Sequence, residues 1–285
     1  MAEQKKITIS TLYKKKLTGE KIVMLSSTDA VFSALQVQAG VDILLAGDSA
    51  VTTVLGRDST LPVTMDWMIE MPAAIRRGAP YVYLIGDMPF MSYQASTAEA
   101  IHNAGRFMAE AGCDAVKIEC DRRQIDVVRA VSAAGIPVMA HLGLTPQSAA
   151  SLGGYRTQAR TAEAAVGLID DAKAMAGAGA AFLLLESIPP EPAKIVTAQS
   201  SVPVIGCGAG PYVDGQVMIM HDVLGLTQGR KPTFAKAYAQ LAESAKTAFE
   251  EYAGEVRQGK YPSADHCYKM AEGEAEKLNK LFLNR

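Results

Sequence analysis

Five apolar runs in this sequence stop on an ionisable side chain. Val41-Asp42-Ile43-Leu44-Leu45-Ala46-Gly47 is followed by Asp48 and Ser49, Leu84-Ile85-Gly86 by Asp87, and Ala115-Val116-Lys117-Ile118 by Glu119. Ile136-Pro137-Val138-Met139-Ala140 is followed by His141, and Leu183-Leu184-Leu185 by Glu186. A single acid at a strand end has an ordinary explanation, since loops begin there. Five such ends, far apart in sequence, read differently if their strands share one mouth. Four carboxylates with Lys117 as the nearby cation would repel one another unless something positive sat among them. A divalent ion is the simplest solution. Asp48, Asp87 and Glu119 form an all-oxygen set suited to a hard ion such as Mg²⁺, with substrate and water completing the octahedron. Zinc would want more His and Cys than this group offers.

Lys117 and Glu119 lie two apart on one expected strand and so share a face. A buried Lys needs a partner, either the acid cluster or an anionic substrate. An exposed Lys on the outer face of the strand is the plain alternative. Glu186 ends a different strand and is spare once three acids take the metal. In an apolar, partly dry mouth its pKa moves toward neutrality, which suits a general base. Gly206-x-Gly208-x-Gly210 follows another apolar run but lacks dinucleotide spacing, and reads as a tight strand-to-loop turn. No nucleophile elbow is present.

Eight short runs must position these groups: Ile22–Leu25, Val41–Leu45, Tyr81–Ile85, Ala115–Ile118, Ile136–Ala140, Ala181–Leu185, Val202–Ile205 and Val217–Met220. Most are continuously apolar, as in a sheet covered on both faces. Helical stretches alternate with them. Thr97 to Glu110 has Thr97 as its expected N-cap, Gly112 as a stop, and Ile101, Ala104 and Met108 on one face. Thr161 to Ala176 repeats the design and ends at Gly177 and Gly179. The alternation predicts an α/β fold, a closed (β/α)₈ TIM barrel, with an open doubly wound sheet as the alternative. In a barrel all strand C-termini converge on one face, which brings the five ends together. No linker or repeat divides residues 1–285, so one domain is expected. The connection from 142 to 162 has the length of a functional loop or lid. The tail 267–285, with Leu278, Leu281 and Phe282 at helical spacing, predicts an amphipathic helical extension.

Composition narrows the partners. Of 285 residues 49% are hydrophobic and 20% charged, which excludes disorder. The net charge of −2, without a long basic block, makes nucleic acid an unexpected partner. The longest uninterrupted apolar run, Ala174 to Leu185, is 12 residues, short of the roughly 18–20 that span a bilayer. No apolar stretch of signal-peptide length follows the N-terminus. Cys113, Cys120, Cys207 and Cys267 have no Cys-x-x-Cys spacing and read as buried thiols of a cytoplasmic protein.

With these segments the chain resembles the ketopantoate hydroxymethyltransferase (3-methyl-2-oxobutanoate hydroxymethyltransferase) family. The resemblance is carried by Gly47-Asp48-Ser49, Asp58-Ser59-Thr60-Leu61-Pro62-Val63-Thr64, Arg76-Arg77-Gly78-Ala79-Pro80 and Asp87-Met88-Pro89-Phe90-Met91-Ser92-Tyr93. It continues through Val116-Lys117-Ile118-Glu119, His141-Leu142-Gly143-Leu144-Thr145-Pro146-Gln147-Ser148, Gly206-x-Gly208-Ala209-Gly210 and Asp214-Gly215-Gln216. It spans about Thr8 to His266. The resemblance implies a barrel of the phosphoenolpyruvate/pyruvate superfamily that binds Mg²⁺ and assembles as a homo-oligomer, often a decamer. It implies 5,10-methylenetetrahydrofolate as co-substrate and a 2-oxo acid as acceptor. Asp48, Asp87 and Glu119 match the metal acids, Ser49, Asp87, Lys117 and His141 the groups around the 2-oxo acid, and Glu186 the base. Three segments depart from the family pattern: Ser26-Ser27-Thr28-Asp29, Ala50-Val51-Thr52-Thr53 and Thr157-Gln158-Ala159-Arg160. These touch the pocket wall and lid. A metal-dependent 2-oxo-acid aldolase or lyase, and a non-catalytic ligand-binding barrel, are the competing readings.

Overall fold

Eight parallel strands close into one barrel in the computed structural model, which describes residues 5–229 and 232–283. They are β1 (Ile22–Ser26), β2 (Ile43–Ala46), β3 (Tyr83–Asp87), β4 (Ala115–Glu119), β5 (Val138–Gly143), β6 (Phe182–Glu186), β7 (Val204–Cys207) and β8 (Gly215–Met218). Each pairs with its neighbours in sequence, and β8 returns to β1 from Ile22↔Gly215 to Leu25↔Met218. That last ladder excludes the open sheet.

Seven strands end one to three residues beyond their apolar runs. In contrast β8, expected as Val217–Met220, lies at Gly215–Met218, because its pairing with β1 starts at Gly215 and Met220 opens a short helical turn. Asp87, Glu119, His141 and Glu186 lie inside their strands because they remain in ladder register, as Asp87↔Lys117, Glu119↔His141 and Glu186↔Cys207. Hydrophobicity marks where a strand is dry, whereas backbone pairing decides where it ends.

Side-chain alternation builds the site. Every second residue faces the barrel interior. Tyr83, Ile85, Ala115, Met139, Phe182 and Leu184 fill its lower layers. Asp87, Lys117, Glu119, His141 and Glu186 continue the same inward rows toward the C-terminal rim. The intervening Leu84, Val116, Ile118, Leu183 and Leu185 form a separate outer layer with helix residues such as Ile75, Phe107, Val128 and Met175. Covering on both faces explains why the strands read as unbroken apolar runs.

Helix α1 (Ile9–Thr18) closes the N-terminal end of the barrel. Its Leu12 is fully buried in the interior cluster, and Tyr13 donates a hydrogen bond to the Ala181 carbonyl at 2.9 Å. Helices α2 (Ala30–Gln38), α3 (Met65–Gly78), α4 (Thr97–Ala109), α5 (Ile125–Ala133), α6 (Ala162–Gly177) and α7 (Pro190–Gln199) follow strands β1 to β6 in turn. The N-cap of α4 is Ser96 and not Thr97, because the Ser96 hydroxyl accepts the Glu99 N–H. Its buried residues are Ala100, Asn103, Ala104 and Phe107, one step rotated from the expected stripe of Ile101 and Met108. The α6 cap is Thr161, as its sequence indicates.

Two further helices, α8 (Leu241–Arg257) and α9 (Glu274–Leu283), carry no buried residue. Leu278, Leu281 and Phe282 lie on α9 and are exposed. Cys113, Cys120 and Cys207 are buried, but Cys267 is exposed, since its segment lies outside the barrel core. No described helix is long and apolar enough to cross a membrane.

The outer layer leaves no spare volume at Gly86, where an added Cβ would collide with the fully buried Phe107 ring. Gly86→Ala is expected to cost about 1–3 kcal/mol, as overpacking does. A lower urea midpoint at unchanged m-value measures it.

Candidate active site

A cavity of about 960 Å³ opens at the C-terminal end of the strands. Asp48, Ser49, Asp87, Lys117, Glu119, His141 and Glu186 all line it, so residues from five strand ends share one chamber. Each is positioned by an inward strand position or by the turn just after one. Ser49 opens the single helical turn Ala50–Thr53, and its carbonyl accepts from the hydroxyls of Thr52 and Thr53.

The acids are linked through a few strong contacts. The Asp48 N–H donates to Asp87 Oδ2 at 3.0 Å. Lys117 Nζ lies 2.7 Å from Asp87 Oδ1 and 3.9 Å from Glu119 Oε1. On its other side it is 3.4 Å from His141 Nδ1, and His141 Nε2 is 3.3 Å from Glu186 Oε2. Lys117, Asp87, Glu119 and His141 are buried, whereas the Glu186 side chain retains 19% exposure toward the cavity. Lys117 therefore faces the interior, and its partners are the acids.

Burial governs the protonation states. Desolvation pushes the Asp87 carboxyl up to about 7, and the neighbouring Asp48 charge adds to this, while Lys117 opposes it. Glu119 is likewise raised, by burial above all. Glu186 is pushed up to about 7 by burial, with Lys117 opposing and Asp48 reinforcing. The His141 imidazole is lowered by burial and then by the Lys117 charge, so it is neutral. Burial alone would lower Lys117, but Asp87, Asp48 and Glu119 more than offset it and hold the ammonium charged.

The donor set fits a hard cation. Glu119 Oε1 is buried without a hydrogen-bond partner, and Asp87 Oδ1 meets Lys117 by charge without an aligned hydrogen bond. Among the described residues no three His, Cys, Asp or Glu side chains are set to hold a metal by themselves. The Lys117 ammonium lies between Asp87 and Glu119 and separates them. Mg²⁺ commonly takes only one or two carboxylates and fills its octahedron with substrate oxygens and water.

Sequence reasoning gave Gln147, Cys207 and Phe234 no role in the site, though they reach the cavity or its acids. It had placed Thr52 in the pocket wall and Arg156 in the long connection 142–162, and both line the cavity. Phe234 stacks over Gly208, whose φ of 68° and missing Cβ let the ring approach. The glycine turn was legible, but its aromatic partner, 26 residues later, was not. Of the departures from the family pattern, Thr52 and Thr157 line the cavity. Thr28 donates to Asp29 Oδ2.

The closed strand ladder and the acids at its C-terminal rim define a (β/α)₈ barrel with an acid-lined mouth. Among solved structures, phosphonopyruvate hydrolase with oxalate and Mg²⁺ superposes with a TM-score of 0.61 at 14% identity, covering 97% of each chain. 2,3-Dimethylmalate lyase gives 0.58 at 16% identity over 96% of this chain and 98% of that one. Within that class, residues 6–264 match the model of the ketopantoate hydroxymethyltransferase family, and the chain belongs to it. It is 51% identical over 261 residues to 3-methyl-2-oxobutanoate hydroxymethyltransferase of Desulfotalea psychrophila, covering 92% of this chain and 94% of the relative. The enzyme of the same name from Moorella thermoacetica is 47% identical, over 94% of this chain and 100% of the relative.

The partly buried Glu186 makes a stability prediction. A carboxyl raised from 4.5 to about 7 binds its proton more tightly folded than unfolded. Its charge therefore destabilises the fold as pH climbs through that window, and the full penalty stands above pH 7. Glu186→Gln is expected to match the parent near pH 5 and exceed it by up to about 3 kcal/mol at pH 8, measured by urea unfolding at both pH values.

Proposed function

We propose that the protein transfers a hydroxymethyl group to 3-methyl-2-oxobutanoate, giving ketopantoate for pantothenate synthesis, with Glu186 as general base. The observation that carries this is the Glu186 carboxyl, which lines the cavity together with Lys117, Asp48 and Asp87, lies 3.3 Å from His141 Nε2 and is raised to about 7. A base poised near neutrality is what abstraction of a weakly acidic proton α to a carbonyl requires. Family membership and the names of its relatives support the reaction.

Asp48, Asp87 and Glu119 would hold Mg²⁺ or a similar hard cation, and Ser49, Lys117 and His141 would surround the 2-oxo acid. When bound, the cation supplies Lewis-acid stabilisation of charge on the substrate's keto oxygen, worth several kcal/mol. Glu186 accepts the proton from carbon 3, and the electron pair of the broken C–H bond enters the enolate. Lys117 and His141 orient that enolate. Water releases the methylene carbon of 5,10-methylenetetrahydrofolate at the aldehyde level, breaking both of its carbon–nitrogen bonds and leaving its two protons on the folate nitrogens. Carbon 3 of the enolate then attacks that carbonyl carbon, a carbon–carbon bond forms, and the carbonyl oxygen takes the proton held by Glu186 to become the hydroxyl. Neutral His141 beside Glu186 leaves the base its own charge to accept the proton. Exposed apolar residues on α8 and α9, including Phe249, Leu281 and Phe282, support assembly as a homo-oligomer. Light scattering at the 30.2 kDa monomer mass would overturn that part.

Solvent-deuterium exchange at carbon 3 of 3-methyl-2-oxobutanoate with Mg²⁺, without folate, tests the proton step. Glu186→Gln is expected to lose about 10²–10⁴-fold in exchange rate while still binding the 2-oxo acid by calorimetry. Exchange at the parent rate in that variant removes Glu186 from the role.

Because only the ionised base reacts, the parent's exchange rate is expected to rise with pH through about 7. A midpoint near 4.5, the ordinary glutamate value, would contradict the buried-base assignment. Thr52 in the cavity wall makes the acceptor a separate question. Turnover of other 2-oxo acids with free aldehyde, and none with folate, would favour an aldolase.

A further inference from the structure

Gln147 follows Thr145-Pro146 at the start of a short 3₁₀ turn, Pro146–Ser148. First-turn N–H groups have no partner within a helix and so are available to outside acceptors. The Gln147 N–H donates to Glu119 Oε2 at 2.9 Å. Its side-chain Nε2 donates to Asp48 Oδ2 at 3.0 Å and to the Met88 carbonyl at 3.0 Å. Its Oε1 accepts from the Tyr93 hydroxyl at 2.7 Å. Gln147 and Tyr93 are both buried, at 4% and 1% exposure.

This arrangement fixes the amide orientation. A flipped amide would set its oxygen against a carboxylate and a carbonyl, both of which only accept, and its NH₂ against the Tyr93 hydroxyl. Tyr93 comes from the connection after β3 and Gln147 from the connection after β5. Asp48 follows β2, and Glu119 ends β4. One residue therefore ties together four successive rim segments, and it does so at two of the acids assigned to the cation.

We infer that Gln147, locked in place by the Tyr93 hydroxyl, is the positioning residue that presents Asp48 and Glu119 to the cation and the 2-oxo acid. This rests on the cation assignment made under Proposed function. Gln147 touches no reacting atom in this assignment. It holds one oxygen of Asp48, so that carboxylate has one orientation in place of several. Residues that orient ligating side chains typically contribute about 10–100-fold in metal affinity or activity.

The test uses the full chain, with Mg²⁺ alone as the calorimetric probe and 3-methyl-2-oxobutanoate kinetics as a second readout. Gln147→Met keeps the length and the backbone N–H but cannot donate from its side chain. It is expected to weaken Mg²⁺ binding about 10–100-fold and to raise the KM for the 2-oxo acid more than it lowers kcat. Tyr93→Phe removes one hydroxyl and is expected to weaken Mg²⁺ binding several-fold, which keeps the inference testable if Gln147→Met does not fold. Because Tyr93 acts through Gln147, the double variant should bind Mg²⁺ no more weakly than Gln147→Met alone.

Folded single variants with parental Mg²⁺ affinity would overturn the inference. So would a Tyr93→Phe penalty that persists undiminished in the Gln147→Met background. Failure of the parent to bind Mg²⁺ would instead overturn the cation assignment itself and remove the inference with it.

Discussion

One constraint shapes the rim of this barrel: Asp48, Asp87, Glu119 and Glu186 line one chamber with the Lys117 ammonium, and Asp87, Lys117 and Glu119 are buried at its floor. Lys117 cannot neutralise Asp48, Asp87, Glu119 and Glu186 together. Carboxyls are raised to about 7 at Asp87 and Glu186, and Glu119 is raised as well. Desolvation is the leading cause at each of these three. A folded protein tolerates such a cluster when the surrounding frame is rigid, and when a ligand or cation supplies the missing charge.

The rigid frame is the barrel itself. Inward rows begin with Tyr83, Ala115 and Phe182 and end, four residues on, with Asp87, Glu119 and Glu186. The lower positions exclude water and fix the strands, while the upper positions inherit that fixed geometry. Backbone pairing through the last residue of these strands holds the ionisable groups on ladders and not on loops. That placement limits how far the carboxylates can move apart despite their repulsion. The tilted contact between Tyr83 and Phe182, with ring centroids 5.6 Å apart, braces the layers beneath.

Connections then refine what the strands only bring near. Gln147 and Tyr93 reach the acids from turns that no hydrophobic periodicity marks, and Phe234 settles on Gly208 at the cavity wall. The segment from 142 to 162 is partly ordered as the turns Pro146–Ser148 and Ala149–Leu152. Its part next to β5 therefore belongs to the site's scaffold. The same segment carries Tyr155 and Arg156, exposed residues that reach the cavity from its rim.

The amino-acid sequence alone determined the eight strands, their burial on both faces and the identity of the seven ionisable or polar groups at their ends. It could do so because both signals are local: apolar runs of strand length, and a change of residue type where each run stops. The N-cap of α4, the exposure of Cys267 and the strand ends were decided by side-chain packing and ladder register, which depend on residues distant in the chain. Closure of β8 onto β1 is likewise a pairing between opposite ends of the sequence. The placement of Lys117 between Asp87 and Glu119, and the capture of Asp48 by an amide 99 residues away, arise only when the rim assembles. No local pattern encodes a distance between loops, so these contacts belong to the tertiary structure.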